Sequence, residues 1–180
     1  MADIDLFANQ LLEEAKRFFE KAKESSGTTA EAANLHAALL LSFCAFEAHV
    51  NSIGEEFSIA TNLSAHEKGL LVEKDVRLED GEFRMQQGLK IARLEDRVGF
   101  LHAKFSGRPV DKTSAWWGQL SSAIDLRNKL THAKTVPLVT QTAVRSAMQA
   151  IIDALDALYQ AIYKRKFPPA SQGLHSSLTF

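Results

Sequence analysis

The chain has almost no cysteine. Cys44 stands alone among 180 residues, so no disulfide can form within it and no cysteine cluster can hold zinc. Proline is nearly as scarce, at four. The longest apolar stretch, about residues 37–46, is too short to span a bilayer and carries Ser42 inside it. The first residues, Met1-Ala-Asp-Ile-Asp-Leu6, lack the basic start and apolar run of a secretion signal. These absences predict a cytoplasmic protein with no membrane segment, and the glycosylation-like triplet Asn62-Leu63-Ser64 is then a chance match. There is no GxxxxGKS/T phosphate loop, no GxGxxG and no GxSxG. HExxH and Glu-x-x-His are missing as well, which excludes zincin-type and ferritin-like metal sites. The expectation is no metal and no cofactor.

What is present is an ordinary folded composition, 46% hydrophobic and 24% charged. A chain of this length can bury a real core as one domain. The net charge of −1 hides an asymmetry. Residues 1–100 hold 11 Lys+Arg against 18 Asp+Glu, and residues 101–180 hold 10 against 4. The basic C-terminal part suits an anionic partner such as RNA or an acidic protein. Attraction between the two parts, or to another subunit, explains the same asymmetry.

Helical periodicity dominates. Residues 4–25 place Phe7, Leu11, Leu12, Ala15, Phe18, Phe19 and Ala22 on one face, with Lys16, Arg17 and Glu20 opposite. Ser25-Ser26-Gly27 breaks this helix. Thr28-x-x-Glu31 reads as a capping box for a second helix to about Ile59. The middle of that helix, Leu39–Phe46, is apolar nearly all round, as in a central helix; Gly54 weakens it near its end. Ser64-x-x-Glu67 opens a short helix to about Val72. Residues 75–85 flank Asp80-Gly81, the signature of a tight hairpin turn. Helical spacing returns over about Gln86–Phe105, from about Ser114 to Pro137, and over about Thr140–Tyr163. The fold class predicted is all-α, an antiparallel up-and-down helical bundle with a small β-hairpin insertion. Residues 1–167 form one helical domain, and 168–180 read as a flexible tail.

Arg127-Asn128-Lys129-Leu130-Thr131-His132 is the segment best equipped for chemistry. Asn128 and His132 are four apart and share a helix face. Arg127 is turned away by a little over a third of a turn, within reach of a long side chain. His132 lies near a helix C-terminus, where the dipole favours positive charge. Histidine can move protons near neutral pH. Arginine can offer two donors to a phosphate and stabilise a pentacovalent transition state. Asparagine can orient either one. The same residues also fit a structural role, with Arg127 paired to a carboxylate and His132 closing a helix. His36, His49, His66, His102 and His175 are scattered singly and read as surface or packing residues.

Arg127-Asn128-x-x-x-His132 resembles the signature of the HEPN superfamily, an Arg followed after four to six residues by His. An earlier helix carries Ala45-Phe46-Glu47-Ala48-His49-Val50-Asn51, similar to the Glu and Asn on the second core helix of many HEPN domains. The resemblance covers about residues 30–165. It implies a four-helix core, here with an extra N-terminal helix, and a homodimer whose two signature segments meet in a shared cleft. It further implies a metal-independent endoribonuclease of toxin–antitoxin or phage-defence type, with 2′-OH attack leaving a cyclic phosphate. Arg127 and His132 would be catalytic and Asn128 supporting; Glu47, beside Arg127, and Asn51 would support them. RNA would be the substrate and an antitoxin a further partner. Some members have lost catalysis and serve as dimerisation or binding modules. That alternative stays open here, as does a purely structural Glu47–Arg127 ion pair.

Overall fold

In the computed structural model, which describes residues 2–180, helix α1 (Ala2–Glu24) doubles back through a short turn into α2 (Thr29–Ser58). The short α3 (Ala65–Leu71) follows, then strands β1 (Lys74–Glu79) and β2 (Glu82–Leu89). Three further helices, α4 (Leu94–Ser106), α5 (Ala115–Thr131) and α6 (Gln141–Tyr163), complete the bundle, and a 3-10 turn covers Pro168–Ser171. The described residues are mostly helical, with six helices in antiparallel contact and one two-stranded hairpin.

Two helices form the centre. One face of α1, with Ala8, Leu12, Ala15, Phe19 and Ala22 fully buried, lies along α2. Helix α6 touches α1, α2, α4 and α5, and buries Met148, Ile151, Leu155 and Leu158 completely. By length and composition alone α2 is apolar enough to cross a bilayer, although its most apolar run by itself is not; most of its apolar 18-residue window is buried within the fold, as in a core helix.

Several local expectations need correction. The Thr28 capping box does not form: the Thr28 hydroxyl donates to the Ser25 carbonyl (2.7 Å), and Glu31 accepts from the Gly27 N–H (2.7 Å). The hydroxyl is drawn back toward α1 because the carbonyls at a helix end lack partners. The Ser64–Glu67 box is complete in both directions. Strand β2 runs to Leu89, through residues whose spacing suggested a helix, because it stays paired with β1 as far as Lys74↔Leu89. The turn between the strands uses Asp80 (φ 52°) and Gly81 (φ 83°), the left-handed pair that matches strand twist. Lys16, placed by periodicity on the solvent face, is fully buried and bonds Glu13 at 2.8 Å. The C-terminal segment 168–180, expected as a tail, packs along the same stretch of α1. Ser177 donates its backbone N–H to Glu13 (2.6 Å), and Arg17 donates to the Phe180 carbonyl (2.7 Å).

Gly54 is a point of contact rather than a weak spot. A Cβ there would lie 2.6 Å from the Leu71 carbonyl oxygen. That oxygen also accepts a 2.7 Å hydrogen bond from the buried Arg97 guanidinium. Alanine gains about 1 kcal/mol of helix propensity over glycine, but overpacking costs about 1–3 kcal/mol and here also displaces a buried charged hydrogen bond. Gly54→Ala is therefore expected to destabilise the fold by about 1–2 kcal/mol, read as a lowered urea midpoint with unchanged slope.

Candidate active site

Helix α5 meets α2 over a short stretch near its C-terminal end, and Arg127 makes that contact. Its Nη2 lies 3.3 Å from Glu47 Oε1, and its guanidinium stands 5.1 Å from the centre of the Phe43 ring. Phe43 and Glu47 are four apart on α2, so one helix face supplies both a carboxylate and an aromatic surface. The Arg127 side chain is 23% exposed and that of Glu47 is 46% exposed. Glu47 is thus a solvated carboxylate. The pair lies at the rim of the bundle, where a surface ion pair contributes about 0–1 kcal/mol. Its main consequence is positional: Arg127 is held from one side by Glu47 and from below by Phe43, with most of its donors uncommitted. The Glu47 bond is the guanidinium's one hydrogen bond among the described residues, and the buried Nε has none.

Cys44, one turn before Glu47 on the same face of α2, is exposed. Partial desolvation and then Glu47 push its thiol up, with Arg127 pulling the other way, so the reactive thiolate is disfavoured. Asn51 is exposed one turn further along this face, and its side chain makes no hydrogen bond among the described residues.

His132 closes α5. Its backbone leaves the helical region (φ −119°, ψ 40°) while its N–H still bonds the Asn128 carbonyl at 2.9 Å. The imidazole is exposed and lines a hollow of about 370 Å³ with Asn128, Lys129 and Lys134. Thus the structure brings Arg127 to Glu47, and Asn128 to His132, but within one chain Arg127 does not line the His132 hollow. The loop after His132 exposes Val136 (97%) and Leu138 (84%). Trp116 and Trp117 pack edge-on at the opposite end of α5, with Trp116 beside His102 of α4. Among the described residues no group of three His, Cys, Asp or Glu side chains is arranged to hold a metal ion.

Sequence reasoning missed three contributors. Phe43 was legible, four residues before Glu47, but was absorbed into the apolar run. Lys129 and Lys134, which flank His132, were counted only in the general basic excess of the C-terminal part. Comparison of the chain with protein-family models, curated proteins and solved structures finds no match.

Proposed function

We propose that the chain is a HEPN-type, metal-independent endoribonuclease of toxin or phage-defence kind, acting as a homodimer. The observation that carries this reading is the placement of Arg127. It is held by Glu47 and Phe43, 23% exposed, little more than one helical turn before an exposed His132 at the loosened end of α5. In this reading His132 takes the proton of a ribose 2′-OH or returns one to the leaving 5′-oxygen. The bond from the 2′-oxygen to phosphorus forms as the bond to the 5′-oxygen breaks. Arg127 stabilises the charge that builds on the phosphoryl oxygens between these events, and Asn128 orients the phosphate or the imidazole. A two-fold pairing of chains along α5 and the open face of α2 would bring the Arg127 of one copy toward the His132 of the other. The exposed Val136 and Leu138 supply apolar surface for that pairing.

The test is incubation of the purified protein with single-stranded RNA in EDTA. The expected products carry a 2′,3′-cyclic phosphate and a 5′-hydroxyl. Intact RNA in the presence of folded dimer would sink the proposal.

A second reading is a non-catalytic binding module. It is favoured by the separation of Arg127 from the His132 hollow within one chain. It predicts intact RNA and a stable complex with another protein. Expression in a bacterial host separates the two readings: the ribonuclease slows growth and its His132→Ala variant does not.

A further inference from the structure

The hollow at His132 does not end there. It shares Lys129 with a second hollow of about 610 Å³ between α5 and α6. The second shares Gln119 and Ser146 with a third of about 530 Å³ beside α6. The three adjoin as one groove. Its cationic lining is Lys134, Lys129, Lys112, Arg145 and Lys23, and its one carboxylate is Asp125, next to His132. Lys23, Lys112, Lys129, Lys134 and Arg145 form no ion pair among the described residues, as is also true of Lys68, Lys74, Arg108, Lys164, Arg165 and Lys166 elsewhere. Positive charge along the groove is therefore not neutralised by the protein itself.

We propose that this groove is a track for the sugar-phosphate backbone of single-stranded RNA, leading to His132; the inference rests on the ribonuclease reading above. Packed helices lie about 8–10 Å apart, so the groove between α5 and α6 is too narrow for a duplex. From Ala115 to His132 it follows α5 for about 25 Å at 1.5 Å per residue, room for roughly four nucleotides, the lower end of single-strand site sizes. Ser122, Gln119 and Ser146 add uncharged donors for phosphate and ribose oxygens. The Ser114 side chain does not cap α5, and no acidic residue stands in its first turn, so the partial positive charge of that helix end faces the same groove. Neither tryptophan lines it. Recognition along the track is by backbone charge, with little dependence on base sequence. The track ends near His175, which lies 3.7 Å from Glu20.

The experiment titrates full-length protein against a fluorescent 2′-O-methyl oligouridylate, which binds but has no 2′-hydroxyl to react, at several salt concentrations. Combining Lys112→Gln, Lys129→Gln and Arg145→Gln is expected to weaken binding about tenfold and to lower the salt slope by about 2. Removing equal charge from the hairpin, with Arg77→Gln, Arg84→Gln and Lys90→Gln, is expected to leave binding within about twofold. Equal losses from the two triple variants, or none from the groove variant, would overturn the track. Lys129→Gln alone, expected to lower the slope by about 0.7, serves if the triple groove variant does not fold. Displacement of the oligonucleotide by polyglutamate at equal charge would also overturn it, by assigning the groove to acidic protein. Cleavage of unmodified RNA is followed in parallel. Groove-dependent binding without cleavage removes the ribonuclease reading and leaves the track. Cleavage with binding indifferent to the groove removes the track and leaves the ribonuclease.

Discussion

Arg127→Ala and His132→Ala are each expected to lower RNA cleavage by about 10³-fold while leaving the thermal unfolding curve nearly unchanged. The two parts of this expectation rest on different observations. His132 is exposed, and its ring makes no hydrogen bond among the described residues, so its truncation falls in the range of about ±0.5 kcal/mol for ordinary surface changes. Its loss removes proton transfer, which contributes about 10²–10⁴-fold. Arg127 differs because it has a partner. Removing it leaves Glu47 46% exposed, so the carboxylate is solvated rather than stranded, and the structural cost stays near the small value of a surface pair. Arg127→Lys keeps the charge but loses the planar two-donor fork, and is expected to fall between wild type and alanine. Glu47→Gln tests the positioning role. The Phe43 ring still supports the guanidinium in that variant, so a loss of about tenfold in kcat with KM little changed is expected, near the low end of what misplacing one group costs. Single-turnover kinetics on a short RNA, with melting curves on the same samples, check all four. A variant that loses cleavage only by unfolding, or an alanine variant as active as wild type, contradicts the assignment.

The ease of reading this sequence followed the range of the interactions involved. Wherever one element's own periodicity decided the structure, it could be read directly. Helix α6 buries the stripe that its apolar spacing marks, and α1 does so from Leu11 onward while leaving Phe7 55% exposed; Ser64-x-x-Glu67 and Asp80-Gly81 act as their local chemistry dictates. The Thr28 box fails locally, to the Ser25 carbonyl three residues back; the other exceptions involve a segment further away along the chain. Lys16 looks exposed on α1 but is fully buried, and residues 176–180 bond to Glu13 and Arg17 on either side of it. Helical spacing after Gln86 gives way to pairing with β1, where Lys74 opposes Leu89. The candidate site divides in the same way. Arg127, Asn128 and His132 are visible as one short motif, and Glu47 only through the resemblance its helix bears to a family pattern. The groove was not visible, because Lys112, Lys129 and Arg145 come from a loop and two helices and share no spacing. The sequence shows no basic stripe; one forms only when α5 and α6 pack antiparallel.

His49 carries the second large expected effect, on stability rather than activity. Its ring is 1% exposed, packs edge-on against Phe167 at 5.1 Å, and has no hydrogen-bond partner at either nitrogen. Burial pushes its pKa from the usual 6.5 down to about 4, with Asp5 on α1 acting weakly the other way. The folded state therefore holds the ring neutral where the unfolded chain takes up a proton. Stability from this residue is complete above about pH 6.5 and is lost as pH falls toward 4, because protons then favour the unfolded chain. A depression of this size corresponds to about 3 kcal/mol. The carboxylates add their own acid dependence, so the difference between wild type and His49→Leu is what isolates the histidine. At pH 7 the leucine variant is expected to be more stable by about 1–2 kcal/mol, since it removes two desolvated nitrogens that no partner satisfies. At pH 4 the gap is expected to widen by about 3 kcal/mol. Urea unfolding across that pH range measures both values. Parallel stability curves for the two proteins would mean that the imidazole is charged, or hydrogen-bonded, inside the fold.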